Sequence, residues 1–483
     1  MDDDFSREVL RLCARVTARH TDGPLRDAAR LVRERLTAGR LRVAIGGRMN
    51  AGKSTLVNAL IGRRVAPTGN TECTLVVARY TPSYLDRVTV TPRRDAPYEV
   101  RPGPRGGLPV EPGALGRGPE DILWVDVEFS KKDMSVECVL VDTPGLDSLN
   151  RGDEASIDAL GEADAMLFVM PHPGTGDTEA FAEIRRGVGT SLAGRSGRIG
   201  VISQIDRLPT DPRDDPWPPA RRLAETYAAE LREQVSEVIP VAGLLAETAL
   251  GADFTERDAG LLRLLAGHDP GELYDALYDA DSFLDWDEGP LDGHDRARLL
   301  RMLGIHGLLL GAEAAGRGAR GAEEFLALLR ERSGAGRLIE AIEHTLVPRA
   351  GWLRAAAALA RLTEAARADP HGGWLMDAVE ELGRRPAFAR AGLGEMVWQA
   401  ESGRLRLDAG DVEALRLLAS RAVPAEALGL PPVSGRDDVA RAAAREVARW
   451  RRVEQDLARP PSLRRLARAA RELCQDYHPD MRR

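Results

Sequence analysis

The run Gly47-Arg48-Met49-Asn50-Ala51-Gly52-Lys53-Ser54-Thr55 follows the apolar stretch Leu41 to Ile45 and precedes the helical pattern Leu56, Leu60, Ile61. That is the GxxxxGK[ST] pattern in its strand, loop, helix setting. The glycines let backbone N–H groups curl around phosphates, and the helix N-terminus adds partial positive charge. Gly47, Asn50, Ala51, Gly52 and Thr55 are therefore candidate nucleotide contacts. Lys53 is expected to reach the β and γ phosphates, and Ser54 to offer its hydroxyl to Mg²⁺.

Three further strand ends complete the pattern. Val139-Leu140-Val141-Asp142-Thr143-Pro144-Gly145 sets a carboxylate at the end of an apolar strand and then a glycine. Asp142 is expected to hold the Mg²⁺ through a water, and the Gly145 N–H to meet the γ-phosphate. Val201-Ile202-Ser203-Gln204-Ile205-Asp206 matches the guanine-reading pattern [NT]KxD in its aspartate, which accepts from both donors on the guanine edge. Ser203 stands in place of Asn or Thr, and Gln204 in place of the lysine whose stem covers the base. Pro240-Val241-Ala242-Gly243-Leu244 ends the last apolar strand, where Ala242 and Gly243 are expected to contact the base through backbone groups.

Between about 41 and 248 short apolar runs alternate with helical patterns, which predicts an α/β sheet. Pro92 to Pro119 is dense in Pro and Gly and reads as a surface loop. After Gly251 only helical periodicity remains. Before residue 40, Val9, Leu12, Val16, Leu25, Val32 and Leu36 form an interrupted amphipathic helix that needs a surface to cover its stripe. The division expected is an N-terminal helix over 1–39, a nucleotide domain over 40–250 and a helical bundle over 251–483.

At 483 residues the chain holds two or three domains. Its 43% hydrophobic and 29% charged residues exclude disorder, and a net charge of −8 argues against a surface that is wholly a nucleic-acid footprint. Lys53, Lys131 and Lys132 are the only lysines. Cys13, Cys73, Cys138 and Cys474 form no CxxC, so a disulfide or zinc framework is not expected. The start Met1-Asp2-Asp3-Asp4 is unlike a basic leader, and no apolar run approaches the ~18 residues of a spanning helix. The chain is therefore expected in the cytoplasm, with any membrane contact peripheral.

The run Gly47 to Ile61, followed by Val65-Ala66-Pro67-Thr68-Gly69-Asn70-Thr71-Glu72-Cys73-Thr74, resembles the phosphate loop and first switch of bacterial dynamin-like GTPases. Asp177-Thr178-Glu179 and Pro240 to Ala246 match the same family, most like its actinobacterial, isoniazid-inducible type. Arg301-Met302-Leu303-Gly304-Ile305-His306-Gly307 and Arg332-Ser333-Gly334 resemble the first helices of its stalk. The resemblance implies an α/β P-loop GTPase domain on an all-α helical bundle, or trunk, built from segments on both sides of it in sequence. It implies hydrolysis of GTP with Mg²⁺ held by Ser54, Asp142 and Thr74, the last also positioning the attacking water. It further implies remodelling of an anionic membrane surface from the inner face, and pairing with itself or a sister GTPase. Met49-Asn50 stands where dynamins proper often carry Gln-Ser, so Met49 has no group to orient water.

The alternatives are an Era-like GTPase acting on RNA or ribosomes, which expects a basic RNA module after the sheet, and a nucleotide-switched scaffold for a sister GTPase. The stretch 252–296 holds 13 acidic and 3 basic residues, and 436–483 holds 13 arginines and 8 acids; both read as solvated helix faces. No nucleic acid is expected as a partner. Between Arg384 and Arg406 the interleaving of Phe388, Leu393, Met396, Val397 and Trp398 with arginines suggests a trunk-tip membrane contact, against the alternative of an ordinary bundle turn.

Overall fold

The computed structural model describes the chain apart from residues 1, 68–75, 102–113, 131–135, 137, 145–162, 172–196, 209–210, 212, 232–233, 252, 384, 402–404, 422, 460 and 479–483. The described residues form two compact units, one of 39–357 and one of 1–38 with 358–483. The division falls inside the helix Ala350–Ala368.

In the first unit the apolar runs become strands β1 (Arg42–Gly47), β2 (Ala78–Ser83), β3 (Arg87–Pro92), β4 (Tyr98–Val100), β5 (Ile122–Ser130), β6 (Val139–Asp142), β7 (Ala165–Met170), β8 (Arg198–Ile202) and β9 (Val238–Pro240). They lie in the order β4-β3-β5-β2-β6-β1-β7-β8-β9. From β6 through β9 the pairing is parallel, and β6 and β7 are buried along their whole length, as strands covered on both faces must be. β2 pairs antiparallel with β6 and parallel with β5. The register sets Ile45 beside Asp142, Gly47 beside Val169, and Ile202 beside both Met170 and Pro240. The C-terminal ends of five strands therefore share one edge, where chain order reverses across β1 and where open α/β sheets bind their ligands.

One sheet face presents Ala44, Val141, Met166, Phe168 and Ile202, and the helices after the sheet cover it with Leu262, Met302, Leu303 and Phe325. The other face, with Val43, Ile45, Leu140, Leu167 and Val201, packs on Leu56 and Leu60 and on Leu338, Ile342 and Leu346. This corrects the expected boundary at 250. The helices from Glu256 to Ala341 belong with the sheet, because its apolar faces need their cover.

Within that cover the helix Gly293–Gly316 is long and apolar enough to cross a membrane by length and composition, contrary to the expectation of no such run. More than half of its most apolar window is buried, which is the profile of a core helix. Nor is the acidic stretch before it merely solvated. Asp258 is fully buried, caps its own helix through Thr255, and receives Arg298 at 2.8 Å.

The regular elements described in the second unit are all helices. The N-terminal helices Asp2–Arg19 and Pro24–Ala38 bury Val9, Leu12, Val16, Leu25, Val32 and Leu36 there, which is the covering surface their stripe required. Phe5 meets Phe388 edge to face at 5.1 Å between centroids. Trp450, Leu415, Leu466, Leu473 and Cys474 form a further cluster with Leu393 and Val397. The trunk-tip reading fails at this point. The segment is a helix, Pro386–Glu401, and Phe388, Leu393 and Val397 are buried in this unit's own core, so they have no apolar surface to offer a bilayer.

Candidate functional site

The phosphate loop forms as its glycines require. Gly47 ends β1 where a side chain would overlap the Val169 carbonyl oxygen, so only glycine lets β1 and β7 close together here. Gly52 takes φ 87° and leads into the helix Lys53–Ile61. Lys53 is buried to 6% exposure and its Nζ donates to the Arg48 carbonyl at 2.9 Å, which holds the ammonium inside the loop.

Beneath the loop, the Ser54 hydroxyl donates to Asp142 Oδ2 at 2.9 Å. Asp142 is fully buried, and its Oδ1 has no hydrogen-bond partner among the described residues. Burial pushes its carboxyl up to about 6, while Lys53, Ser54 and the Thr143 amide pull the other way. A buried carboxylate with one oxygen unspent is suited to a hard cation. Thr143 is pinned by its hydroxyl to the Ile45 carbonyl at 2.9 Å, which fixes the end of β6 against β1. Thr74, Gly145 and Asp177 to Glu179 lie outside the described residues.

The two positions that depart from the guanine pattern prove to be structural ties. Ser203 Oγ lies 2.6 Å from the Ala51 carbonyl, to which it donates, and 3.2 Å from that of Met170. Gln204 Nε2 donates to the Asn50 carbonyl at 2.7 Å, and Arg207 reaches Gln204 Oε1 at 3.2 Å. Both residues thus fasten the loop after β8 to the phosphate loop. Asp206 stands half-buried in the turn Ile205–Arg207.

At Ala242 the N–H donates to the Ser333 carbonyl at 2.9 Å, and the carbonyl accepts from Ala246 N at 2.9 Å. Gly243 begins the helix Gly243–Leu250, and a Cβ there would stand 3.5 Å from Thr55 Cγ2.

Sequence reasoning missed three contributors. Asn58 Oδ1 accepts from Val65 N at 2.8 Å and Ala66 N at 2.7 Å, while Nδ2 donates to Ala66 O and to buried Glu247. Glu247 also meets Arg64 at 3.1 Å, and burial holds its carboxyl above the usual range. Gly304, from a helix with no place in the nucleotide motifs, comes close to Asp206. An asparagine in mid-helix carries a weak signal of its own; the approach of Gly304 leaves none in the local pattern.

Residues 42–192 match the family described as 50S ribosome-binding GTPase. Isoniazid-induced protein IniC of Mycobacterium tuberculosis is 31% identical over 445 residues, covering 89% of this chain and 88% of that protein. The bacterial dynamin-like protein of Nostoc punctiforme is 30% identical over 147 residues, 28% of this chain and 21% of its own length. Isoniazid-induced protein IniA of Mycobacterium tuberculosis is 30% identical over 152 residues, 28% of this chain and 22% of its own.

Proposed function

The chain belongs to the bacterial dynamin-like GTPases, and from that premise we propose that it couples GTP turnover at the phosphate loop to work on membranes. It binds GTP and hydrolyses it to GDP and phosphate. In our reading Lys53 holds the β and γ phosphates, Asp206 reads the guanine edge, and the Gly145 amide meets the γ-phosphate.

Ser54 Oγ and the two oxygens of Asp142 fit Mg²⁺, with Asp142 Oδ1 buried and unspent, and Thr74 is the third candidate ligand. Bound there, the ion would neutralise charge on the phosphates. Thr74 is also our candidate for positioning the attacking water. Met49, next to Asn50 in the loop, offers no polar group for that task.

The Ser54 and Asp142 pair beneath the loop is the observation that most supports a hydrolytic site, since it prepares oxygen ligands where phosphate charge must be offset. Membrane action rests on family membership. We place the chain in the cytoplasm, peripheral at the inner face of an anionic membrane, where it pairs with itself or with a sister GTPase.

Co-sedimentation with anionic liposomes, with and without GTP, tests the membrane reading. Pelleting that rises with GTP in the parent and is lost in Lys53→Ala is the expected result. A protein that stays in the supernatant under both conditions, while turning over GTP, overturns it.

A further inference from the structure

A cleft of about 750 Å³ lies beside the end of β9, within the unit of residues 39–357, and no residue of the phosphate loop lines it. Its size falls in the range of small-molecule sites, about 300–1,000 Å³. Three elements build its wall: the helix Trp217–Glu230, the strand end at Ile239 and Pro240, and the turn from Arg332 to Gly334 between the helices Ala322–Ser333 and Ala335–Ala341.

That wall is preformed. Gly334 takes φ 75°, and a Cβ there would fall 2.5 Å from the Pro240 carbonyl oxygen and 2.7 Å from Trp217 Cη2, so glycine is what lets turn, strand end and indole close on one another. Ser333 fastens the turn, its carbonyl accepting from Ala242 N at 2.9 Å and its Oγ from Ala335 N at 3.2 Å.

The charge of the cleft is opposite to that of the chain. Four arginines and one glutamate line it, in a protein of net charge −8. Two of the arginines are committed: Arg337 pairs with Glu237 at 2.8 Å, and Arg330 donates to the Ala249 carbonyl at 3.3 Å. Exposed Arg221 and half-buried Arg332 form no hydrogen bond or ion pair among the described residues. Arg221 stands one turn from Trp217, so guanidinium and indole share a helix face.

We propose that this cleft binds a phosphate monoester with an apolar or aromatic body, at a site separate from the phosphate loop. Two guanidinium groups without counter-charge call for a ligand with more than one negative charge, and a phosphate monoester carries about −1.5 to −2 in a single group at pH 7. The planar guanidinium fork matches phosphate oxygens two at a time. Half-buried Trp217, with Ile239 and Pro240, gives the body of the ester a flat apolar surface. A soluble ester and a lipid headgroup present the same phosphate, and the experiment separates them.

The probe is phenyl phosphate, titrated into the full chain saturated with GDP and Mg²⁺ so that the phosphate loop is filled. Arg221→Ala and Arg332→Ala should each weaken its binding about tenfold, the scale of one hydrogen bond to a charged group. Neither side chain has a partner in the fold, so both variants should keep the parent denaturation midpoint. Trp217→Leu should weaken phenyl phosphate while leaving inorganic phosphate unchanged. Vesicles of phosphatidylcholine with and without phosphatidic acid identify the source. Pelleting that requires phosphatidic acid and is lost in Arg332→Ala assigns a lipid headgroup; pelleting that is absent or indifferent to Arg332→Ala assigns a soluble ester. Failure of the GDP-loaded parent to bind millimolar phenyl phosphate, or equal affinity in the parent and both arginine variants, overturns the proposal.

Discussion

Gln204 and Asn50 are the only non-glycine residues with positive φ among the described residues, and they are hydrogen-bonded to each other, Gln204 Nε2 to the Asn50 carbonyl at 2.7 Å. Two strained backbones at φ 53° and φ 59° thus meet across the nucleotide site, one from the phosphate loop and one from the loop after β8. Strain of this kind costs on the order of 1–3 kcal/mol per residue and collects at functional sites. Ser203, donating to Ala51, makes the second tie of the same joint.

Gln204→Ala removes that donor and should release the phosphate loop, weakening GTP binding about fivefold, the equivalent of one neutral hydrogen bond of ~1 kcal/mol. Gln204→Lys keeps a donor at the end of the side chain and should bind as tightly as the parent. Nucleotide titration of both variants checks this, and undiminished binding by Gln204→Ala would show that the tie is irrelevant.

Asp142 makes the site pH-dependent with a definite sign. Burial raises its carboxyl from 3.8 to about 6. Its protonated form is therefore favoured by the fold, and the stability it contributes is full below 3.8 and lost as pH rises through about 6. Mg²⁺ needs the anion, so Mg²⁺-dependent GTP binding should run the other way and weaken as pH falls through about 6. Asp142→Asn should abolish Mg²⁺-dependent binding at every pH and flatten the stability profile between 4 and 6, about the range set by the shift. Denaturation midpoints and GTP titrations across that range measure both.

Asn58 holds the segment at Val65 and Ala66 that leads toward Thr74. Asn58→Ala leaves two buried amides and the Glu247 carboxylate short of a partner, a loss of about 3 kcal/mol or more at about one to three kcal/mol per orphaned group. Chemical denaturation measures it. A variant as stable as the parent would show that water replaces the side chain without penalty.

Phe388 and Leu393 carry the correction to the membrane-tip reading. Phe388→Ala removes the edge-to-face partner of Phe5 and should cost about 3 kcal/mol or more, and Leu393→Ala about 2–5 kcal/mol, as large-to-small changes in cores do. The thermal midpoint reports both. Variants that keep the parent midpoint but lose liposome binding would restore the tip.

Much of this protein is local and hence readable in the chain. The phosphate loop is contiguous because each glycine from Gly47 to Gly52 serves the turn it lies in. Asp142 announces itself by ending an apolar strand and Asp206 by following one within a few residues, since parallel strands deliver their C-terminal ends to the ligand edge. The amphipathic helices before residue 40 likewise declared that they needed a surface. The tertiary structure alone decided what those residues meet. No local pattern assigns Ser203 and Gln204 to the phosphate loop, commits the Ala242 amide to Ser333, or brings Gly304 to Asp206, because each contact closes a long stretch of chain. Periodicity marks an apolar stripe without saying what covers it, so the helices from Glu256 to Ala341 read as part of a separate bundle until the sheet's own faces claimed them. Phe388 and Leu393 illustrate the same limit: arginines beside apolar residues look alike on a membrane tip and on a helix whose buried face is core.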